Sequence, residues 1–299
     1  MIPTLRSLPD PQALGDHLAE VYDVPFTGCT LLRSLVNDVY ELAAPDARYI
    51  LKLYRANHWE VPDILWETGL SAHLIRSGLR VPEVRVLADG AEVGVLDAAE
   101  GERPYTLSGH LAGTKPQPPF DDDLYRSFGE LVAAFHDSTD DFWSPRPRRR
   151  PVVENSPPTA EENLLRDLAG AVRNHLMQYS GQLSRGICHG DVSLDNIFVT
   201  DAGLALYDFD LSGEGYRASD FTGVAATPHW PAFLAGYISR RPISEADLAA
   251  IPYLAVAGRI SNLRFHLIDK PLIGGTESRA EGWADRELDA LRQAADDLL

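Results

Sequence analysis

Cysteine is nearly missing from this chain: two occur in 299 residues, Cys29 and Cys188. A pair so far apart offers neither a disulfide framework nor the clustered thiolates of a structural metal site, and it points to a reducing compartment. No apolar run approaches the roughly 20 residues that a membrane-spanning helix needs. Pro9, Asp10 and Pro11 interrupt the opening segment before a secretory-type apolar core forms, so a cytoplasmic protein with no membrane partner is the expectation. Basic charge is scarce: 27 Lys and Arg stand against 44 Asp and Glu, a formal charge of −17. Nucleic acid would be repelled on average and is not an expected partner. Glycine-rich phosphate loops are absent as well. There is no Gly-x-x-x-x-Gly-Lys-Ser/Thr, which excludes a P-loop nucleotide fold, and no Gly-x-Gly-x-x-Gly between Cys29 and Tyr40.

What the chain does have is an order of elements, strands first and helices later. Residues 13–23 read as a short helix. Three β-prone runs follow, Cys29–Arg33, Val39–Leu42 and Tyr49–Tyr54, the last two separated by the turn Ala44-Pro45-Asp46-Ala47. Residues 61–77 carry Leu65, Leu70, Leu74 and Ile75 near helical spacing, and Gly78 and Pro82 mark the stop. Two more β-prone segments lie near Val84–Leu87 and Tyr105–Leu107, with an Asp89-Gly90 turn after the first. The Gly- and Pro-containing stretch Gly113–Pro119 reads as the crossing between two lobes. Asp121–Asp123 open a helix whose apolar face is Leu124, Phe128, Leu131, Val132 and Phe135. Residues 144–158, rich in proline and arginine, predict an extended linker, with Arg146-Pro147-Arg148-Arg149-Arg150 solvated. A helix over 160–180, short strands near Ile187 and Leu204, and helices after Asp220 complete the chain. The expectation is an α+β fold: a small β-rich lobe with one main helix over residues 1–110, and a larger, mostly helical lobe over 111–299.

Three signals carry chemistry. His189-Gly190-Asp191-Val192-Ser193-Leu194-Asp195-Asn196 has the form His-x-Asp-x-x-x-x-Asn. In kinase catalytic loops that spacing lets one loop place a proton-accepting Asp and a metal-holding Asn around one transferring phosphate. Leu206-Tyr207-Asp208-Phe209-Asp210 follows twelve residues after Asn196, an apolar strand ending in a carboxylate suited to magnesium. Lys52 lies inside the apolar run Tyr49–Tyr54, where a cation is costly unless it is used. Glu67 on the following helix is its expected partner, with Glu60 next in line. Lacking a glycine-rich loop, Arg33–Asp38 would have to meet phosphates through Ser34, Asn37 and backbone N–H groups.

Taken together these segments resemble the aminoglycoside phosphotransferase and choline kinase-like superfamily, which includes type II homoserine kinases. The resemblance runs over roughly residues 28–270 through Asn37–Tyr40, Tyr49–Lys52, Gly78–Pro82, Leu111–Gly113, Gly129–His136, Cys188–Asn196 and Asp208–Asp210, with Asp220 at the family's later Asp. It implies a bilobal protein-kinase-like fold and transfer of a phosphoryl group from ATP or GTP, with Mg2+, to a hydroxyl of a small molecule. Asp191 would be the base, and Lys52 with Glu67 would hold the phosphates. Asn196 and Asp208 would hold the metal, and adenine would lie at Ser108–Leu111, including His110. An aminated acceptor such as an aminoglycoside-like antibiotic or amino alcohol is the first expectation. Homoserine or another metabolite is an alternative, and a nucleotide-binding pseudokinase is the alternative of another class. His229, Trp230, Arg259, Asn262, Arg264 and His266 fall where relatives bind substrate. Glu214, Asp220, Glu277 and Glu281 are carboxylates that could meet an amine.

Overall fold

Alternating burial along Asp38–Ala44 puts Tyr40 and Leu42 on one face, and Ala47–Leu53 buries Leu51 and Leu53 beside them. This is the period-two pattern of a sheet with one wet side. In the computed structural model, which describes residues 2–150, 157, 159–274, 276 and 280–299, that face packs on helix α1 (Pro11–Tyr22) through Leu14, Leu18 and Tyr22. The sheet is antiparallel. Strands β1 (Gly28–Ser34), β2 (Asp38–Ala44), β3 (Ala47–Leu53) and β6 (Gly101–Gly109) lie side by side, and β4 (Val84–Arg85) and β5 (Gly94–Ala98) share the outer edge of β6. Strand β5 was not expected from the sequence, because a short edge strand with glycine and alanine carries little periodicity.

Helix α2 (Val61–Arg76) follows β3 and faces away from the α1 core. Its Trp66, Leu70 and Leu74 join the larger core, with Phe128, Val132 and Phe135 of α3 (Asp122–Ser138) and Leu165, Leu168 and Val172 of α4 (Glu162–Gln178). Two small hairpins sit on this helical part: β7 (Arg185–Cys188) with β10 (Gly213–Tyr216), and β8 (Ile197–Thr200) with β9 (Gly203–Leu206). The chain then runs through α5 (Thr222–Ala225), α6 (Trp230–Ile238), α7 (Glu245–Arg264), a π-helical turn at Phe265–Asp269, α8 (Lys270–Gly274) and α9 (Trp283–Leu298). No helix among the described residues is long and apolar enough to cross a membrane.

Helices α3 and α6 cross almost backbone to backbone. A Cβ on Gly129 would lie 2.0 Å from the Phe233 carbonyl oxygen, and one on Gly236 would lie 1.9 Å from that of Arg126. Only glycine permits this approach.

Two sequence expectations need correction. Thr114 already exchanges backbone hydrogen bonds with Val199 of β8, at 3.0 and 2.8 Å, so the chain has crossed before Gly113–Pro119 is complete. The arginine run is only in part a solvated linker: Arg146 and Arg149 are exposed, but the backbone of Arg148–Arg150 is paired. Glu214 N–H donates to the Arg148 carbonyl at 2.7 Å, Arg150 N–H donates to the Glu214 carbonyl at 3.0 Å, and Arg149 bridges Glu214 in parallel, making Arg148–Arg150 an edge segment on β10. Residues 151–156 and 158 of that expected linker lie outside the described residues, as does Glu277.

Candidate active site

Lys52 alternates to the opposite side of β3 from Leu51 and Leu53, and Glu67 sits next to core-facing Trp66 on α2. Their side chains meet with Lys52 Nζ donating to Glu67 Oε1 at 3.1 Å. Glu60 is exposed at the start of α2 and makes no side-chain capping bond, which removes it as the partner. Lys52 has two further partners: Asp208 at 3.5 Å, and Asp210, with which it is in close hydrogen-bonded contact. Tyr54 Oη donates to Glu67 Oε2 at 3.2 Å.

One cation among three carboxylates divides the charge unevenly. Burial alone would lower the Lys52 pKa, but Asp210, Glu67 and Asp208 outweigh it and hold it well above the ordinary value. Burial would raise Asp208, yet Lys52 and Arg33, whose guanidinium is 3.8 Å away, hold its carboxyl below the usual range. Glu67 bears the remainder: burial and the neighbouring Asp210 push it up to about 7 despite Lys52. Asp208 itself has φ +67°, a left-handed backbone that a non-glycine residue adopts only when its surroundings enforce it.

Asp210 is the residue that sequence reasoning left without a role. Besides Lys52 it accepts from Asn37 Nδ2 at 2.9 Å, which ties the β1–β2 turn to the segment after β9. The Asp-Phe-Asp alternation was the available signal: Phe209 is buried, and the carboxylates on either side of it both reach Lys52. Asn37 is buried, and its Oδ1 has no hydrogen-bond partner. Ser34 is not in this cluster: its hydroxyl accepts from Arg6 at 2.7 Å.

The second cluster is the loop after β7. Asn196 Nδ2 donates to Asp191 Oδ2 at 2.8 Å and to the Asp191 carbonyl at 2.9 Å. Asp220, fully enclosed, fixes the loop from beneath by accepting from the backbone N–H of His189 at 2.7 Å and of Gly190 at 2.9 Å. It also accepts from His136 Nε2 at 3.1 Å, which leaves His136 Nδ1 to accept from Tyr237 Oη at 2.9 Å. Burial holds both His136 and His189 below the ordinary histidine value, so they serve as neutral hydrogen-bonding groups. The His189 ring sits 3.1 Å from the Tyr207 carbonyl, and Tyr207 N–H donates to the Asn196 carbonyl at 3.1 Å, joining this loop to the Asp208 segment.

Ser108, His110 and Leu111 lie at and beyond the end of β6. Ser108 Oγ reaches the Ile50 carbonyl at 3.4 Å, and His110 N–H donates to the Arg48 carbonyl at 3.0 Å. The register places Ser108 opposite Ile50, two positions along from the Lys52–Thr106 pair. The residues that fall where relatives bind substrate have protein partners of their own. Trp230 packs on Phe221 and Phe233, and His229 stacks on Tyr125 and pairs with Asp122 at 2.7 Å. Arg259 and Asn262 both bond to Glu287, Arg264 lies 3.8 Å from Asp269, and His266 stacks on Trp283. Of the four carboxylates considered for an amine, Asp220 is consumed by the catalytic loop, Glu214 pairs with Arg149 and Glu281 pairs with Lys270.

The donor set fits a hard divalent cation. Both of the Asn196 contacts above use Nδ2, so its Oδ1 and the Asp208 carboxylate are oxygen donors of the kind magnesium takes, with phosphates and water completing the shell. Among the described residues no group of three or more His, Cys, Asp or Glu is placed to hold a metal ion by itself.

A model of the phosphotransferase enzyme family matches residues 29–250. An uncharacterised protein of Deinococcus radiodurans is 35% identical, with 85% of this chain and 81% of that protein covered. A homoserine kinase of Rhizobium etli is 30% identical, with 77% and 76% covered. Among solved structures, the microcompartment-associated aminopropanol kinase superposes with a TM-score of 0.73 at 22% identity, covering 96% of this chain and 99% of that one.

Proposed function

The chain belongs to the phosphotransferase enzyme family and is a small-molecule kinase, and from that premise we propose that it transfers the γ-phosphoryl group of ATP or GTP, with Mg2+, to the hydroxyl of a small aminated alcohol. The observation that carries the reading is the pairing of two clusters: Lys52 held among Glu67, Asp208 and Asp210, and Asp191 held by Asn196. Residues 1–110 are the nucleotide-binding lobe in this reading, and 111–299 supply the catalytic loop and the acceptor site.

Phosphoryl transfer needs in-line positioning and charge neutralisation more than covalent participation by the protein. Lys52 holds the α- and β-phosphates, with Glu67 fixing its ammonium. Asn196 Oδ1 and Asp208 would hold magnesium, which when bound would neutralise charge on the phosphate oxygens. Asp191 orients the acceptor hydroxyl and takes its proton as the oxygen bonds to the γ-phosphorus and the bond to the leaving diphosphate breaks. Ser108, His110 and Leu111 border the base, and Asn37 belongs to the turn over the phosphates, with Ser34 just before it at the end of β1.

For the acceptor, homoserine and aminopropanol, named by the relatives above, each carry a hydroxyl and an amine. A protein of formal charge −17 also draws cations toward an open cleft. The test is consumption of ATP and of GTP, with Mg2+, across a panel of hydroxylated amines, amino acids, aminoglycosides, sugars and nucleosides. Acceptor-dependent turnover that Asp208→Ala abolishes, with weakened Mg2+-dependent nucleotide binding, supports the assignment. Nucleotide binding without turnover on any acceptor would mark a pseudokinase.

A further inference from the structure

Arg148 and Arg150 are two apart on the edge segment beside β10, so they face the same way, into the protein, while Arg149 between them faces out and is 80% exposed. Arg150 runs through a trough that two glycines leave open. A Cβ on Gly190 would lie 2.8 Å from the Arg150 guanidinium carbon, and one on Gly213 would lie 3.1 Å from its Cγ. At the end of the trough, Arg150 Nη2 donates to the Gly190 carbonyl at 3.3 Å and Nη1 to Ser219 Oγ at 3.5 Å, with Asp220 Oδ1 3.9 Å away. Gly190 immediately precedes Asp191, and Asp220 already holds the Gly190 N–H. Both polar groups of the Gly190 backbone are therefore gripped, the N–H by Asp220 and the carbonyl by Arg150. Two residues back, Arg148 Nη1 reaches the Phe209 carbonyl at 3.4 Å, and its guanidinium lies over the ring of Trp59 at 4.1 Å.

We propose that Arg148 and Arg150 are positioning residues for phosphoryl transfer: Arg150 sets the catalytic loop that carries Asp191, and Arg148 sets the Asp208–Asp210 segment. The inference rests on the role of Asp191 given above. Its physical basis is that a guanidinium donating to a carbonyl fixes a peptide plane, and a misplacement of about 1 Å at a reacting group costs about a hundredfold in rate.

The test compares Arg150→Ala, Arg150→Lys and Arg149→Ala in the full chain. With an accepted hydroxyl compound, Arg150→Ala is expected to lower kcat about tenfold to a hundredfold with the nucleotide KM within about twofold. Arg150→Lys, or added guanidinium ion, should recover part of the loss, and Arg149→Ala should match the parent. An equal loss in Arg149→Ala, or a kcat within twofold of the parent in Arg150→Ala, overturns the proposal. Hydrogen exchange supplies a readout that needs no acceptor. The amides of the 188–193 segment should exchange faster in Arg150→Ala and not in Arg149→Ala, while the α3 and α7 cores stay protected. Unchanged exchange there overturns the proposal even if the acceptor assignment fails for its own reasons.

Discussion

Asn196 orients Asp191: one amide nitrogen holds both the carboxylate, at 2.8 Å, and the carbonyl, at 2.9 Å, of the residue five positions earlier. Asp191 and Asn196 are thus a single hydrogen-bonded unit. We expect Asp191→Asn to lower kcat by roughly a hundredfold or more while nucleotide affinity stays within about threefold, since the base acts only in the transition state. Asn196→Asp keeps an oxygen donor but no longer donates to Asp191, and should lose kcat with Mg2+ dependence retained. Parallel titration of a nonhydrolysable nucleotide separates the outcomes; lost affinity with kcat preserved in Asp191→Asn contradicts the role.

Lys52 and Glu67 should also behave as one unit. Lys52→Ala is expected to raise the nucleotide KM and cut kcat. Glu67→Ala should do so more weakly, because Asp208 and Asp210 still anchor the ammonium. The double variant should be little worse than Lys52→Ala. Fully additive losses in a double-mutant cycle would show that the 3.1 Å contact carries no coupling.

The raised Glu67 pKa makes a stability prediction with a definite sign. Its folded value of about 7 lies above its ordinary 4.5, so the folded protein binds the extra proton between these values. Stability from this group is full below the lower value and lost as pH rises through about 7. Buried His136 works oppositely: its depressed value costs stability as pH falls below the ordinary 6.5. Comparing Glu67→Gln with the parent cancels the histidine contribution. The difference in Tm should shift in favour of Gln between about pH 5 and about pH 8. A pH-independent difference would refute the assignment.

At the α3–α6 crossing, Gly129→Ala and Gly236→Ala must each push a Cβ into a carbonyl oxygen about 2 Å away. We expect each to cost roughly 1–3 kcal/mol in urea denaturation by overpacking. Gly170, inside α4, has no atom within 4 Å of its would-be Cβ. Gly170→Ala should therefore gain roughly 0.4–1 kcal/mol by stiffening the unfolded chain. Equal effects at the three sites would mean that the close crossing contributes nothing.

What the sequence disclosed and what it hid follow from range. The β1–β3 meander and α2, α3 and α4 were legible because their apolar periods are local. The His-x-Asp-x-x-x-x-Asn and Asp-Phe-Asp segments were legible because function fixes their spacing. Glu67 was found because a strand and the next helix supply the pair. Asp210 contacting Asn37, 173 positions away, has no local signature. Arg148 and Arg150 looked solvated because charge and proline predict exposure; what half-buries them is the room for Arg150 at Gly190 and Gly213 and the rings of Trp59 and Trp66 under Arg148, visible only once the chain is folded. Asp220 was counted among possible amine ligands because sequence shows its charge and not the three donors already on it.

The acceptor argument now rests on net charge and on the aminated acceptors of the relatives, since the structure engages three of the four carboxylates first considered for it. That makes the expectation sharper. Long-range attraction by a protein of charge −17 raises the encounter rate of a cation, and it is screened over about 8 Å at physiological salt. For a cationic acceptor, kcat/KM should fall clearly between low and physiological ionic strength. N-acetylation should cripple the acceptor in kcat/KM while leaving the nucleotide KM unchanged. A zwitterionic amino acid bears no net charge, so it should lose activity on N-acetylation but show a weaker salt dependence than an amino alcohol. Measuring both responses for the best substrate of the panel separates the two. If that substrate has no amine and kcat/KM is flat with salt, the charge argument is wrong, and the phosphotransferase assignment stands without it.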